Sequence, residues 1–352
     1  MSNETAQHAD SSPKPLIALA MGDPAGISPE LTARGVMDTD VRAAARLIVI
    51  GDARILDEGA RVAGLALDTQ TVRTETDALA AASGERPVLV DLGHLALEDV
   101  RRGEATLAGG TFATENFRRA LAMAKAGTVE AVCFTPFNKA ANRQAYPGYD
   151  DENRFVCDVI GWQGSAREFN VLESIWNARV TSHIPLSAVA STITKDLILH
   201  ELELTGQCLR QAGIAKPRVA VAALNPHAGD GGNFGREEIE VIEPAVEAAK
   251  AKGFDVVGPY PADTVYLRAP KEGCHAVLTM YHDQGQIAMK LMGFDRGVTM
   301  LGGLPFPICT PAHGTAYDIA GKGIANIGAT RAALLLAARM AERARVGADA
   351  AA

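Results

Sequence analysis

At 352 residues the chain is longer than the roughly 100–200 residues of one typical domain, so two domains with a buried site are expected. Apolar residues make up 47% and aromatics only 5%, while Ala and Gly abound; this suits helices packed closely on parallel strands and disfavours a β-sandwich. A formal net charge of -8 gives no general attraction to nucleic acid or anionic membranes, and no stretch approaches the roughly 18 apolar residues of a membrane span, so neither is an expected partner.

Residues 1–14 are polar, lack the apolar core of a secretory signal, and read as a disordered leader. From Leu16 on, short aliphatic runs alternate with amphipathic stretches: LIALAM (16–21), RLIVIG (46–51), RPVLVDL (86–92), AVCFTP (131–136), FNVLES (169–174), RVTSHIPL (179–186), RVAVAALNP (218–226), DVVGPYP (255–261) and AVLTMY (276–281). The alternation marks βαβ units, with strands covered on both faces. Behind the first run stands MGDPAGISPE in place of G-x-G-x-x-G. Its Gly22, Pro24, Gly26 and Pro29 make a rigid turn into a helix, which either cradles an anion or simply connects strand to helix. Helical periodicity is clear over 110–127, stopping at Gly127, and over 235–253, with acids in its first turn and Gly253 as its stop. The final residues, RARVGADAAA, read as a frayed tail. The five cysteines form no CxxC and sit mostly among apolar neighbours, as reduced thiols in a cytoplasmic protein do.

Three histidines follow strand-like runs: His183 in VTSHIPL, His227 in ALNPHAGDGG and His282 in YHDQG. Ligands bind at the carboxyl edge of open α/β sheets, so one edge could gather all three. Neutral imidazoles suit zinc and other divalent ions, and three protein ligands leave positions for substrate oxygens. The plainer alternative is that these histidines sit hydrogen-bonded in turns, with His282 and Asp283 capping a helix.

GDPAGISPE, NPHAGDGG, GPYPADT, YHDQG and HGTAYDIAGKGIAN occur in order across nearly the whole chain, and together they resemble the 4-hydroxythreonine-4-phosphate dehydrogenase family. The resemblance implies a two-domain α/β/α subunit with mainly parallel sheets, like the isocitrate and isopropylmalate dehydrogenases, and an active site in the interdomain cleft. On that pattern residues 15–135 plus 300–345 form the nucleotide-binding domain, and 136–299 the metal, substrate and dimerisation domain. It further implies a homodimer with active sites across the interface, NAD or NADP as oxidant, and a divalent metal (Zn, Mg, Mn or Co) on His183, His227 and His282. The segment 313–326 resembles the nucleotide loop of that larger group, with His313, Gly314, Asp318 and Asn326 as cofactor residues. Lys290 resembles the family's substrate-anchoring lysine, and Asp263 and Asp283 are placed to orient a histidine or relay a proton.

The substrate pocket departs from the family pattern. Where the family has GHTE, this chain has PGYDDENRF, which puts Tyr149, Asp150 and Arg154 at that place. Thr299 replaces an expected asparagine, and Ile308 replaces an arginine that helps hold phosphate. The expectation is a dehydrogenase of a small hydroxy acid that binds phosphate poorly, with Lys290 or Arg154 receiving a carboxylate. Arg154 is equally open to surface pairing with its acidic neighbours. Decarboxylation of a β-keto product is compatible with such a site. The alternative readings are a decarboxylating cis-dihydrodiol carboxylate dehydrogenase, and a catalytically silent metal- or nucleotide-binding regulator.

Overall fold

The computed structural model describes residues 13–349, so most of the expected leader lies outside the described residues. Twelve strands form one sheet: β1 (Leu16–Ala20), β2 (Arg46–Gly51), β3 (Gln70–Val72), β4 (Val88–Asp91), β5 (Ala131–Phe134), β6 (Arg167–Val171), β7 (Trp176–Arg179), β8 (Arg218–Ala222), β9 (Asp255–Tyr260), β10 (Ala276–Thr279), β11 (Val298–Gly302) and β12 (Ile308–Pro311). Their order is β3-β4-β2-β1-β5-β12-β11-β6-β7-β10-β8-β9. Thirteen helices connect them: α1 (Ser28–Met37), α2 (Thr39–Ala44), α3 (Ala53–Ala63), α4 (Glu75–Ala81), α5 (Leu107–Lys125), α6 (Lys139–Ala145), α7 (Glu152–Ile160), α8 (Val189–Thr192), α9 (Lys195–Gln211), α10 (Glu243–Ala251), α11 (Val265–Arg268), α12 (His282–Gly293) and α13 (Gly328–Asp349).

The mainly parallel α/β class holds, with one correction to the pure βαβ reading. At the centre of the sheet β11 runs antiparallel to both β12 and β6, and β6 antiparallel to β7. The apolar runs predict most strands within a few residues. The run 179–186 is the exception among the runs: β7 ends at Arg179 and the chain turns left-handed at His183, with a φ of 52°; β7, β11 and β12 had no run of their own. The short, largely exposed β3 gave no aliphatic signal. The carboxyl end is not frayed through residue 349, since α13 continues there and Arg345 donates to the Pro13 carbonyl.

One face of the sheet is covered by a continuous apolar cluster that includes Phe169, Val171, Ala178, Val298, Met300 and Cys309. The other face carries two separate clusters. One surrounds Phe117, Phe134, Tyr149, Phe155, Leu301 and Ile308, with α6 and α7 packed onto α5. The second surrounds Leu172, Ala220, Val265, Val277 and Met289 under α11 and α12. Between them this face is polar.

GDPAG is a tight connection. A Cβ at Gly22 would lie 2.2 Å from the Thr135 carbonyl oxygen, and the Gly22 N–H donates to Thr135 Oγ1 at 2.9 Å. That N–H is therefore spent inside the protein, which favours the connecting role over the anion cradle.

Candidate active site

The polar strip is built by strand alternation. Residues directly opposite on paired strands share a face. Thr310, Thr299, Asn170 and Asn177 form one such row across β12, β11, β6 and β7. The next row contains Ile308, Leu301 and Glu168, and continues to Arg179, which donates from Nη2 to Glu168 Oε2 at 3.2 Å. A buried strand normally shows apolar side chains on both faces. Here Asn170, Asn177 and Arg179 are all buried, and Asn170 Oδ1, Asn177 Nδ2 and Arg179 Nη1 have no hydrogen-bond partner among the described residues. Burial pushes the Arg179 guanidinium pKa below its ordinary value, with Glu168 and Tyr266 pulling it back.

Each residue of HDQG has an assigned job at the edge of this strip. Gln284 accepts from the Met280 N–H at 2.8 Å and donates to the Ala223 carbonyl at 2.9 Å, tying the start of α12 to the ends of β10 and β8. Gly285 lets α12 lie against the floor, where a Cβ would come 2.2 Å from Asn177 Nδ2. Asp283 Oδ1 stands 2.7 Å from His282 Nδ1, which leaves the far ring nitrogen of His282 to face outward chemistry.

The His183 and His282 rings are 5.8 Å apart by centroid and line one cleft of about 320 Å3 together with Tyr281 and Asp283. Asp151, which caps α7, places Oδ2 3.7 Å from His183 Nδ1. His227 follows β8, the neighbour of β10, and stands on a turn in which His227, Ala228 and Asp230 all have positive φ. Such strain persists only where surroundings impose it. Buried Glu238 anchors the entry to this turn, accepting from the Leu224 and Asn225 N–H groups at 2.9 and 2.8 Å and from Asn225 Nδ2 at 2.9 Å. The turn does not bring His227 to the pair. Among the described residues no three His, Cys, Asp or Glu side chains are grouped closely enough to hold a metal ion.

Lys290 on α12 lines a crevice with Asn170, Gln286, Val298 and Ala312. Ala312 leads directly into the loop 313–326. His313 Nδ1 lies 3.1 Å from the Gly314 carbonyl oxygen, and burial lowers its pKa. Gly314 is exposed, with nothing within 4 Å of a Cβ built there, and Asp318 is exposed. Asn326 Oδ1 accepts from the Gly328 N–H at 2.8 Å, an arrangement that starts α13. The loop is docked on GDPAG: Tyr317 donates to Asp23 Oδ2, and the Ile27 N–H donates to the Thr315 carbonyl at 3.0 Å. Burial raises the pKa of Asp23, against the lowering hydrogen bonds from Tyr317 and Ala25.

This geometry is matched by known proteins. The family described as pyridoxal phosphate biosynthetic protein PdxA matches residues 43–337. The chain belongs to the PdxA family. It is 69% identical over 332 residues to the "Putative 4-hydroxythreonine-4-phosphate dehydrogenase 2" of Rhizobium meliloti (strain 1021), covering 94% of this chain and 95% of that protein. A solved 4-hydroxythreonine-4-phosphate dehydrogenase from Klebsiella pneumoniae superposes with a TM-score of 0.79 at 31% identity, covering 94% of this chain and 99% of that one. A terephthalate 1,2-cis-dihydrodiol dehydrogenase from Burkholderia xenovorans LB400 gives a TM-score of 0.61 at 27% identity, over 92% and 98% of the two chains.

Against the PdxA pattern, the residues expected to form the substrate pocket divide. Thr299 lies in the polar strip. Ile308 is fully buried on β12 within the apolar cluster, so it faces packed side chains rather than a cleft. Tyr149 is likewise buried, its hydroxyl 3.2 Å from Glu152 Oε1. Arg154 follows the surface alternative, pairing with Asp158 at 3.1 Å and Asp150 at 3.6 Å, and Asp150 is exposed. Asp263 is exposed in the turn between β9 and α11. Sequence reasoning missed Asp151, Asn170, Asn177 and Arg179. The available signal was polar residues at alternate positions in EFNV and WNAR, strands otherwise destined for burial.

Proposed function

We propose that the chain is an NAD(P)- and divalent-metal-dependent dehydrogenase that oxidises a secondary alcohol of a small hydroxy acid of the 4-hydroxythreonine 4-phosphate type. The observation that carries this reading is the buried polar strip between two apolar clusters, bordered by the His183–His282 pair and the Lys290 crevice, on a chain of the PdxA family. We assign nucleotide binding to the half containing the 313–326 loop, and place the protein in the cytoplasm, in keeping with its five free cysteines.

Among the described residues the donor set fits a metal only in part within one chain, since it provides two adjacent imidazoles and no third. The reading therefore includes a homodimer in which a histidine of a second copy completes the set. Large apolar side chains stand exposed around the pair, among them Ile184, Leu186, Ile287 and Leu291, as a face covered by such a copy would require. When bound, a divalent ion supplies Lewis acidity at the substrate hydroxyl, and the nicotinamide accepts hydride. The chain's own residues do the rest. Asp283 fixes the His282 ring, Asp151 steadies His183, Lys290 offers a cation to the substrate from α12, and the open backbone at Gly314 lets the cofactor approach.

A second reading, oxidation and decarboxylation of an unphosphorylated cis-dihydrodiol carboxylate, is favoured by one observation: Ile308 and its packed surroundings offer nothing to a phosphate. The test is formation of reduced nicotinamide by chelator-treated protein resupplied separately with Zn, Mg, Mn or Co. It uses NAD and NADP, with 4-hydroxythreonine 4-phosphate and a cis-dihydrodiol carboxylate in parallel. Metal-restored turnover of the first substrate is expected. Faster turnover of the second would select the second reading, and no turnover of either would favour a silent regulator.

A further inference from the structure

The arginine that the family pattern places at position 308 is absent, yet a buried guanidinium stands three strands away in the same row. Ile308 and Leu301 are partners, Leu301 and Glu168 are partners, and Glu168 meets Arg179, so all four side chains lie on one face of the sheet. Arg179 is 5% exposed. Among the described residues its guanidinium meets only Glu168, through Nη2 to Oε2 at 3.2 Å and to the backbone oxygen at 3.4 Å, and Nη1 has no acceptor. It lines a cleft of about 470 Å3 with Asp151, Asn153, Thr181 and His183, and Asn153 Oδ1 there is also unpartnered.

We infer that Arg179 is a specificity-determining residue that receives the carboxylate of the substrate, supplying from β7 the positive charge that position 308 lacks. This rests on the function proposed above. A guanidinium buried for structure alone has its five N–H groups satisfied, because an unmet donor in a low-dielectric interior is costly. Arg179 instead has a half-used fork, with one side held by Glu168. The remaining edge matches a planar carboxylate, which needs one cation, better than a phosphate dianion, which needs several donors. His183 lies four residues further along the same strand exit, so an acid held at Arg179 would present its neighbouring hydroxyl carbon towards the histidine pair.

The test is equilibrium binding, by calorimetry on the full chain, of 4-hydroxythreonine 4-phosphate and of its carboxamide analogue. The wild type is expected to bind the acid about 10- to 100-fold more tightly than the amide, the range of a charge-assisted pair. Arg179→Gln should bring that ratio close to one, the loss falling mainly on the acid, and Arg179→Lys should restore part of it. The double variant Glu168→Gln/Arg179→Gln removes the carboxylate that the single variant leaves unpaired, and its ratio should also stay near one. Should Arg179→Gln fail to fold, the double variant and Arg179→Lys carry the test. The inference is overturned if the wild type does not prefer the acid, if Arg179→Gln keeps the preference, or if the double variant regains it. Binding with the expected ratios but no oxidation would count against the proposed activity and leave the carboxylate site standing.

Discussion

Gly285 shows how a single residue sets the height of the site roof. Its missing Cβ lets α12 rest on Asn177, whose Oδ1 in turn accepts from Tyr266 at 2.7 Å and Thr279 at 3.2 Å. Gly285→Ala should lift the helix or displace Asn177, costing about 1–3 kcal/mol. Urea unfolding should register that loss together with a fall in turnover; an unchanged midpoint would mean the contact is slack. Ile308 makes the opposite point. Read against the family pattern, Ile308→Arg restores a phosphate clamp; in the structure it drives a charge into a fully buried apolar cluster. The expected result is a destabilisation of about 4 kcal/mol or more. Soluble, stable Ile308→Arg protein with improved phosphate binding would show that the core opens there.

At the scale of elements, two buried carboxylates hold loops in place. Glu238 anchors the left-handed turn bearing His227 by accepting two backbone N–H groups. Glu238→Ala leaves both partly buried donors unmet, at about 0.5–1.5 kcal/mol each. Amide exchange at Leu224 and Asn225 should accelerate sharply, and Glu238→Gln should recover part of the protection. Asp52 caps α3 and accepts from the Leu95 N–H at 3.1 Å. Burial pushes its pKa up, but Arg54 and the Arg54 and Leu95 amides outweigh this and hold it below the ordinary 3.8. A depressed carboxyl pKa gives stability that is complete above 3.8 and lost as pH falls through the folded value. Asp52→Asn should therefore be less stable than wild type at neutral pH, with the two unfolding curves converging in acid; a gap that persists there would mean the charge is irrelevant.

At the scale of the whole molecule, the proposed homodimer is tested at the exposed apolar side chains of α12. Leu291 is 84% exposed, and Ile287 one turn earlier on α12 is exposed with it. Soluble monomers rarely leave large apolar side chains side by side on one exposed helix face. Replacing both by glutamate is expected to yield a folded monomer by sedimentation velocity, with turnover reduced at least tenfold on the proposal that a second copy completes the metal set. A wild-type chain that is monomeric at working concentration would remove this reading.

Much was legible in the sequence because it depends on local rules. Eight of the nine aliphatic runs marked strands, Gly127 and Gly253 marked helix ends at φ of 71° and 85°, and five ordered motifs pointed to the PdxA family. HDQG was correctly suspected of lying at a strand exit, where His282 and His183 meet. What the sequence could not determine was which residues become neighbours across strands. The antiparallel centre joins Thr299 to Asn170 across segments more than a hundred residues apart, and its β6–β7 hairpin register brings Glu168 to Arg179. That register also buries Ile308, while the packing of α7 and the loop before it against α5 buries Tyr149 and leaves Arg154 on the surface. Motif order identifies a family because chemistry conserves short local patterns, whereas the substrate-facing surface is a cross-strand row, and only the packed sheet decides which side chains share it.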